Sequence, residues 1–83
     1  MFKIKLTPKA KRQLKKLSKE EKLSIGEIIE ELKENPFIGK TLERELSGRF
    51  VFKFKAYRII YKVNLKDNIV DILDADHRGK IYN

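Results

Sequence analysis

The segment that decides the fold is RFVFKFKAYRIIYK, which runs from Arg49 to Lys62. Apolar and basic side chains alternate along most of it, which is typical of β-strands with one buried face. A short turn at Lys55-Ala56 would fold the segment into a hairpin. The segment holds five cations and no acid. Paired strands rarely collect so much like charge unless an anion offsets it, and the sequence therefore predicts an anionic partner, most simply a phosphodiester.

Side-chain alternation also assigns the two faces of this predicted hairpin. One face carries the large apolar side chains, which are Phe50, Phe52, Phe54, Tyr57, Ile59, Tyr61 and Val63. We expect these to form the core under the rest of the chain. The opposite face carries Val51, Ile60, Lys53, Lys55, Arg58 and Lys62. If the hairpin register brings these rows together, the four cations lie near one another on a face open to solvent or to a partner.

The chain before the hairpin predicts one strand and two helices. Phe2 to Leu6 alternates apolar and basic residues and is expected to be a strand. Thr7-Pro8 has the pattern of an N-cap followed by proline at the first helical position. Ser18-Lys-Glu-Glu21 is a capping-box pattern that opens a second helix. Asn35-Pro36 ends that helix, because a residue before proline avoids helical geometry.

The chain after Asn35 predicts a connector and three strands. Residues 36–48 are expected to connect the second helix to the hairpin, Lys66-Asp67-Asn68 to form a turn, and Ile69 to Ala75 to form the last strand. The order is β-α-α-β-β-β, an α+β fold. We expect an antiparallel sheet with the helical hairpin packed on one face. A chain of 83 residues predicts a single domain over residues 1–83.

Charge is spread unevenly along the chain, whose net charge is +8. Residues 1–22 carry +7, residues 23–48 carry −3, residues 49–62 carry +5 and residues 63–83 carry −1. Charge alone favours a soluble surface that binds nothing in particular. The position of the second basic block, inside predicted strands, favours nucleic-acid binding.

Residue usage also excludes several classes of protein. The chain has no cysteine and one histidine, and Asp71, Asp74 and Asp76 show no ligand spacing, so we expect no metal and no cofactor. The absence of cysteine fits a reducing cytoplasm. No apolar run approaches the roughly 18 residues of a membrane span, and the charged start lacks the apolar region of a signal peptide. We therefore expect a cytoplasmic protein without membrane contact.

Four motifs, taken in order, resemble the RelE/ParE superfamily of toxin–antitoxin toxins. They are LTPKAKRQLKKL at Leu6–Leu17, Glu34-Asn-Pro36, YRIIY at Tyr57–Tyr61 and HRGKIY at His77–Tyr82. The resemblance covers nearly the whole chain and favours the RelE-like branch. It implies a type II toxin, held inactive by a cognate antitoxin protein, that cuts messenger RNA in the ribosomal A site and inhibits translation. The ParE branch, by the same resemblance, inhibits DNA gyrase without catalysis.

The resemblance also implies which residues act. Lys53 matches a lysine of the family's second strand, and Arg58 matches the arginine of its third. Arg78 and Tyr82 match a C-terminal pair, and His77 stands where related toxins often have histidine before arginine. We expect further RNA contacts from four other cations, which are Arg49, Lys55, Lys62 and Lys80.

These residue types suit metal-free RNA cleavage, in which the ribose 2′-hydroxyl attacks the adjacent phosphate. The reaction needs a proton acceptor, a proton donor for the leaving 5′-oxygen and cations that stabilise the phosphorane. Arg58 and Arg78 suit the cationic role, because guanidinium forks match phosphate oxygens. His77 suits the general acid. Either Lys53 or Lys55 suits a cation or a base. Tyr82 suits base stacking or proton transfer.

Three alternatives stay open at this point. Val51 stands where a second lysine of the family would fall, which favours a degenerate toxin that binds antitoxin and RNA but cuts poorly. A second alternative is a ParE-like gyrase inhibitor, and the retained basic residues argue only mildly against it. Arg58 is also suited to pair with Asp71 or Asp74 across the sheet, which would give it a purely structural role.

Overall fold

The computed structural model describes residues 1–41, 48–54 and 56–77. Within these ranges it describes every side chain except those of Lys40, Thr41, Phe54 and His77. The elements are β1 (Lys3–Leu6), α1 (Pro8–Lys15), α2 (Lys19–Glu34), a 3₁₀ turn (Pro36–Ile38), β2 (Lys40–Thr41), β3 (Arg49–Phe54), β4 (Tyr57–Asn64) and β5 (Ile69–His77). The predicted order and the α+β class are confirmed, with the two-residue strand β2 added inside the predicted connector.

The described strands form one mixed sheet in the order β1-β5-β4-β3-β2. β4 pairs antiparallel with both β3 and β5, as predicted for strands joined by short turns. β1 instead pairs parallel with β5, so the sheet is not antiparallel throughout. The physical reason is that these two strands come from opposite ends of the chain, and no short turn dictates their relative direction.

Both helices begin at the caps that the sequence predicts. Thr7 Oγ1 accepts the Ala10 N–H at 3.1 Å at the start of α1. At α2, Ser18 Oγ accepts the Glu21 N–H at 3.1 Å, and a Glu21 carboxylate oxygen accepts the Ser18 N–H at 2.8 Å. These bonds satisfy donors that a helix start otherwise leaves without partners. The predicted capping box is confirmed. Neither described helix is long and apolar enough to cross a membrane.

The capping box gives a first test of stability. We expect Ser18→Ala to lower the free energy of unfolding by about 1 kcal/mol, because the Glu21 N–H loses its acceptor. Ser24→Ala is the matched control, since Ser24 lies inside α2, where alanine is a better helix former by a few tenths of a kcal/mol. Urea unfolding of both variants measures the difference. Equal losses in the two would contradict a specific role for the cap.

The core lies between the two helices and one face of the sheet. Its buried members are Ala10, Leu17, Ile25, Ile28, Leu32, Tyr57, Ile59, Tyr61, Val70, Ile72 and Ala75. Tyr61 is fully buried; its hydroxyl donates to the Pro36 carbonyl at 2.6 Å and accepts the Gly39 N–H at 3.1 Å. The Tyr61 ring stacks on Phe50, with the ring centroids 5.5 Å apart. The predicted core position of the hairpin's aromatic face is confirmed for its described side chains; the side chain of Phe54 lies outside them.

Candidate nucleic-acid interface

The register of the β3–β4 hairpin decides which cations share a face. Lys53 lies directly opposite Arg58, and side chains opposite each other in an antiparallel pair have Cβ atoms about 4.5–5.5 Å apart. The neighbouring residue Phe52 packs against the core, so alternation places Lys53 on the sheet face turned away from the helices. We call this side of the sheet the open face. It brings together two of the residues that the sequence singled out.

A second cationic pair lies at the other end of the hairpin. Arg49 is directly opposite Lys62, four positions along β3 from Lys53, or roughly 13 Å at strand spacing. Val51 and Ile60 face each other between the two pairs. The open face therefore carries two pairs of cations with a partly buried apolar pair between them. Contact of these cations with RNA stays a prediction.

A carboxylate of β5 lies beside the first cationic pair. Asp76 is in register with Arg58, and Asp76 Oδ2 is 3.9 Å from Arg58 Nη2. About a quarter of each side chain is exposed, 26% for Arg58 and 25% for Asp76. The distance is that of an ion pair and is longer than a hydrogen bond. Arg58 thus stays within reach of solvent while it is held near one acid.

The acid beside Arg58 differs from those that the sequence offered, which were Asp71 and Asp74. A β-bulge shifts the pairing of β4 with β5 by one residue. As a result Asp76 lies opposite Arg58, whereas Asp71 lies opposite Lys62 on the turn side of the bulge. The adjacent apolar residues Ile72 and Leu73 interrupt the alternation of β5, but such an interruption does not by itself give the pairing on either side of it.

Helix α1 runs along β5 beyond the end of β1 and contributes a polar residue that sequence reasoning missed. Gln13 Oε1 accepts the Ala75 N–H at 2.8 Å. Gln13 Nε2 donates to Asp74 Oδ1 at 2.7 Å and also to Asp76 Oδ1. One amide group therefore accepts a backbone N–H of β5 and donates to the carboxyls of both Asp74 and Asp76. A single glutamine on a basic helix gives no sequence signal for this role.

The two carboxyls held by Gln13 have pKa values that move in opposite directions. Burial raises the pKa of Asp76, and the hydrogen bond and negative charge of Asp74 raise it further, against the opposing charges of Lys9 and Arg58. Burial also acts to raise the pKa of Asp74, but hydrogen bonds from Asp76, Gln13 and Lys9 outweigh it and lower that pKa. Lys9 Nζ lies 3.2 Å from Asp74 Oδ2. The two carboxyls thus differ in basicity, and Asp76 is the more basic of the pair.

The remaining predicted site residues lie at or beyond the end of β5. The backbone of His77 is opposite Tyr57, the residue before Arg58, so β5 ends at the same end of the sheet as the Lys53–Arg58 pair. The predicted residues outside the described ranges are Lys55, Arg78, Lys80 and Tyr82. Across residues 1–41, 48–54 and 56–77, no three His, Cys, Asp or Glu side chains are grouped to hold a metal ion.

Two cavities border these surfaces. One, of about 300 Å³, lies beside the open face and is lined by Ile38, Gly39, Val51, Phe52 and Lys53. The other, of about 380 Å³, is an apolar groove between α1 and α2, lined by Leu6, Leu14, Ile25, Gly26 and Ile29 together with the exposed lysines Lys11, Lys15 and Lys22. We call it the helix groove. It is an apolar surface with a basic rim.

The fold and the open face together define a class, that of the small α+β toxins of type II toxin–antitoxin systems. Residues 4–82 match the family described as ParE toxin of type II toxin-antitoxin system, parDE. The chain therefore belongs to the RelE/ParE superfamily of type II toxins, as its motifs predict.

Individual relatives agree with this assignment. The chain is 34% identical to Toxin RelG of Mycobacterium tuberculosis (strain ATCC 25618 / H37Rv), over 98% of this chain and 95% of that protein. It is 30% identical to Putative toxin RelE4 of Methanocaldococcus jannaschii, over 99% and 92% of the two chains.

Solved structures show the same fold. The toxin–antitoxin complex RelBE2 of M. tuberculosis matches with a TM-score of 0.84 and 33% identity, over 93% of this chain and 98% of that one. The archaeal RelE–RelB complex of Pyrococcus horikoshii OT3 matches with a TM-score of 0.76 and 24% identity, over 95% and 97%. At that lower identity the likeness shows the fold alone. Both of these neighbours were solved as complexes, the first of them a toxin–antitoxin complex.

Proposed function

We propose that this type II toxin is a ribosome-dependent endoribonuclease that cuts messenger RNA and thereby inhibits translation. The observation that carries the proposal is the pairing of Lys53 with Arg58 on the open face. Like charges directly opposite each other destabilise a sheet. A phosphodiester between them would remove that repulsion, and a strand pair holds both cations at fixed spacing, as a transition-state site requires.

The chemistry proposed for this site needs no metal. The ribose 2′-hydroxyl attacks the adjacent phosphorus, and negative charge grows on the phosphorane oxygens. Arg58 would hold those oxygens through its planar fork and Lys53 through a point charge. His77, Arg78 and Tyr82 are proposed to complete the site from the end of β5, with His77 as proton donor to the 5′-oxygen.

The second cationic pair is proposed to bind the message next to the cut. Arg49 and Lys62 would hold a neighbouring phosphate, and the Val51–Ile60 pair between the two sites would contact a ribose or base. Lys55 and Lys80 are proposed as further RNA contacts. The reaction would take place on ribosomes, hence in the cytoplasm, and we assign residues 1–83 to one toxin domain.

The direct test adds the purified protein to ribosomes programmed with a defined message. We expect the transcript to be cut within the A-site codon when ribosomes are present and DNA gyrase supercoiling to proceed normally. An intact transcript together with inhibited supercoiling would instead establish the ParE-like alternative, to which the match to the ParE toxin family lends weight. Slow cutting that Val51→Lys accelerates would establish the degenerate toxin.

We also propose that the cognate antitoxin occupies the helix groove with an acidic, amphipathic segment. The groove offers apolar side chains to bury and three lysines at its rim to pair with acids. Neighbouring folds have been solved as toxin–antitoxin complexes, which supports a protein partner for this surface. An open reading frame for such a protein beside the toxin gene would identify it.

Gly26 provides the test of that docking surface. A Cβ atom at Gly26 would meet nothing within 4 Å, although the residue lines the helix groove. We expect Gly26→Trp to fill the groove and weaken antitoxin binding by about 10–100-fold, since one buried apolar side chain contributes about 1.5–3 kcal/mol. Gly26→Ala is the control, which leaves the groove open. Titration calorimetry measures both affinities, and equal binding by the Trp variant and the wild type would place the antitoxin elsewhere.

A further inference from the structure

We propose that Asp76 is the catalytic proton acceptor for the attacking 2′-hydroxyl, and that Gln13 is the residue that positions it. This assignment deepens the proposed function and rests on it. It uses a carboxylate that neither the motifs nor the family resemblance singled out.

The first support is the position of Asp76 on the open face. Its Oδ2 atom lies 3.9 Å from Arg58 Nη2, and a quarter of its side chain is exposed. The phosphate to be cut, which Arg58 would hold, is bonded to the 3′-oxygen of a ribose, and the attacking 2′-hydroxyl is on the neighbouring carbon of that same ribose. The hydroxyl of that ribose would therefore arrive within a few ångströms of Asp76, which is the geometry that a general base requires.

The second support is the way in which Gln13 holds Asp76. The Ala75 N–H must bond to the amide oxygen of Gln13, which forces the amide nitrogen towards the two carboxyls. That nitrogen donates to Asp76 Oδ1. Gln13 thus occupies one oxygen of Asp76 and leaves Oδ2 on the side of Arg58. A base held by one oxygen and presented by the other is preorganised for proton transfer.

The third support is the set of charges that face Asp76. They are Asp74 on the same strand, Arg58 on β4 and Lys9 on α1, with the neutral Gln13 beside Lys9. Burial and Asp74 raise the pKa of Asp76, and Lys9 and Arg58 oppose them. A carboxylate with a raised pKa is a stronger base than an ordinary aspartate. The lowered pKa of Asp74 keeps the neighbouring group ionised to exert this effect.

In the proposed step one P–O bond forms as another breaks, and Asp76 takes up one proton. The 2′-hydroxyl proton passes to Asp76, and the 2′-oxygen forms a bond to phosphorus. The bond between phosphorus and the 5′-oxygen breaks, and that oxygen leaves with the electron pair and takes a proton from the solvent or the general acid of the site. The products are a 2′,3′-cyclic phosphate and a free 5′-hydroxyl. Nothing is oxidised or reduced.

The test compares wild type and Asp76→Asn in single-turnover cleavage on programmed ribosomes across the pH range. Asparagine keeps the size of the side chain but cannot take the proton. We expect the cleavage rate constant to fall by about 10²–10⁴-fold, with affinity for the ribosome unchanged. The wild-type rate should decline at low pH as Asp76 takes up a proton, and we call this decline the acid limb. The variant should lack it. Antitoxin binding and thermal unfolding verify that the variant is folded.

Asp74→Asn is the matched variant. It removes a neighbouring negative charge that raises the pKa of Asp76, so the pKa of Asp76 should fall and the acid limb should move to lower pH while cleavage persists. A folded Asp76→Asn variant that cuts at the wild-type rate, or more slowly with the acid limb intact, overturns the assignment while the nuclease stands. A wild-type protein that cuts no message overturns the proposed function and this assignment together.

Discussion

Arg58→Ala is expected to lower the rate of messenger-RNA cleavage on ribosomes by about 10²–10³-fold, the usual cost of removing a preorganised donor to a charged transition state. Arg58 lies in β4, the middle strand of the sheet. It is in register with Lys53 on one side and with Asp76 on the other. Its ion pair with Asp76 is partly exposed, and such pairs contribute only about 0–1 kcal/mol to stability. The variant should therefore fold and fail in catalysis.

Two further variants isolate the cause of that loss. Arg58→Lys keeps the charge but loses the planar fork, so its rate should lie between those of the alanine variant and the wild type. Lys3→Ala removes one positive charge from the exposed face of β1 at the far edge of the sheet and should cut at the wild-type rate. A fall in rate equal to that of Arg58→Ala would mean that only the net charge matters.

Tyr61→Ala should produce the largest loss of stability, about 3–5 kcal/mol of the free energy of unfolding, as for other buried aromatic residues. Its ring is fully buried and stacks on Phe50. Its hydroxyl joins the Pro36 carbonyl and the Gly39 N–H to β4. A Cβ at Gly39 would lie 2.8 Å from the Val51 carbonyl oxygen, so this segment has little freedom to repack into the space left behind.

The contribution of the hydroxyl can be separated from that of the ring. Tyr61→Phe keeps the ring and leaves the Pro36 carbonyl and the Gly39 N–H without their partner, which should cost about 1–3 kcal/mol. Ile59→Val, at an equally buried position of β4, removes one methyl group and should cost about 0.5–1.5 kcal/mol. Urea unfolding ranks the three variants. A Tyr61→Phe variant as stable as the wild type would show that the hydroxyl bonds contribute nothing.

The hairpin and the helix starts could be predicted because their causes are local. Alternation between Arg49 and Lys62 gives the two faces, and the same rows meet across the pair in the structure. Thr7 and Ser18 mark the helix starts in the sequence, because an N-cap depends only on the three residues that follow it. The parallel direction of β1 could not be predicted, since it depends on a contact between the two ends of the chain.

The candidate site was predictable in its cations but not in its acids. Lys53 and Arg58 stand out from charge and strand pattern, and the family resemblance adds their roles. Asp76 does not stand out, because its place beside Arg58 depends on a bulge in the pairing of β4 with β5. Gln13 depends on the packing of α1 against the edge of β5, a tertiary contact that no local pattern encodes.

The central claim is that the open face of the β3–β4 hairpin cuts RNA by attack of a ribose 2′-hydroxyl. The most direct measurement gives the wild-type protein two ribosome-bound messages that differ only in a 2′-deoxy substitution at the cut site. We expect the unmodified message to be cut, with a 2′,3′-cyclic phosphate on its new end, and the substituted message to remain intact. Cleavage of both messages, or of neither, would contradict the claim.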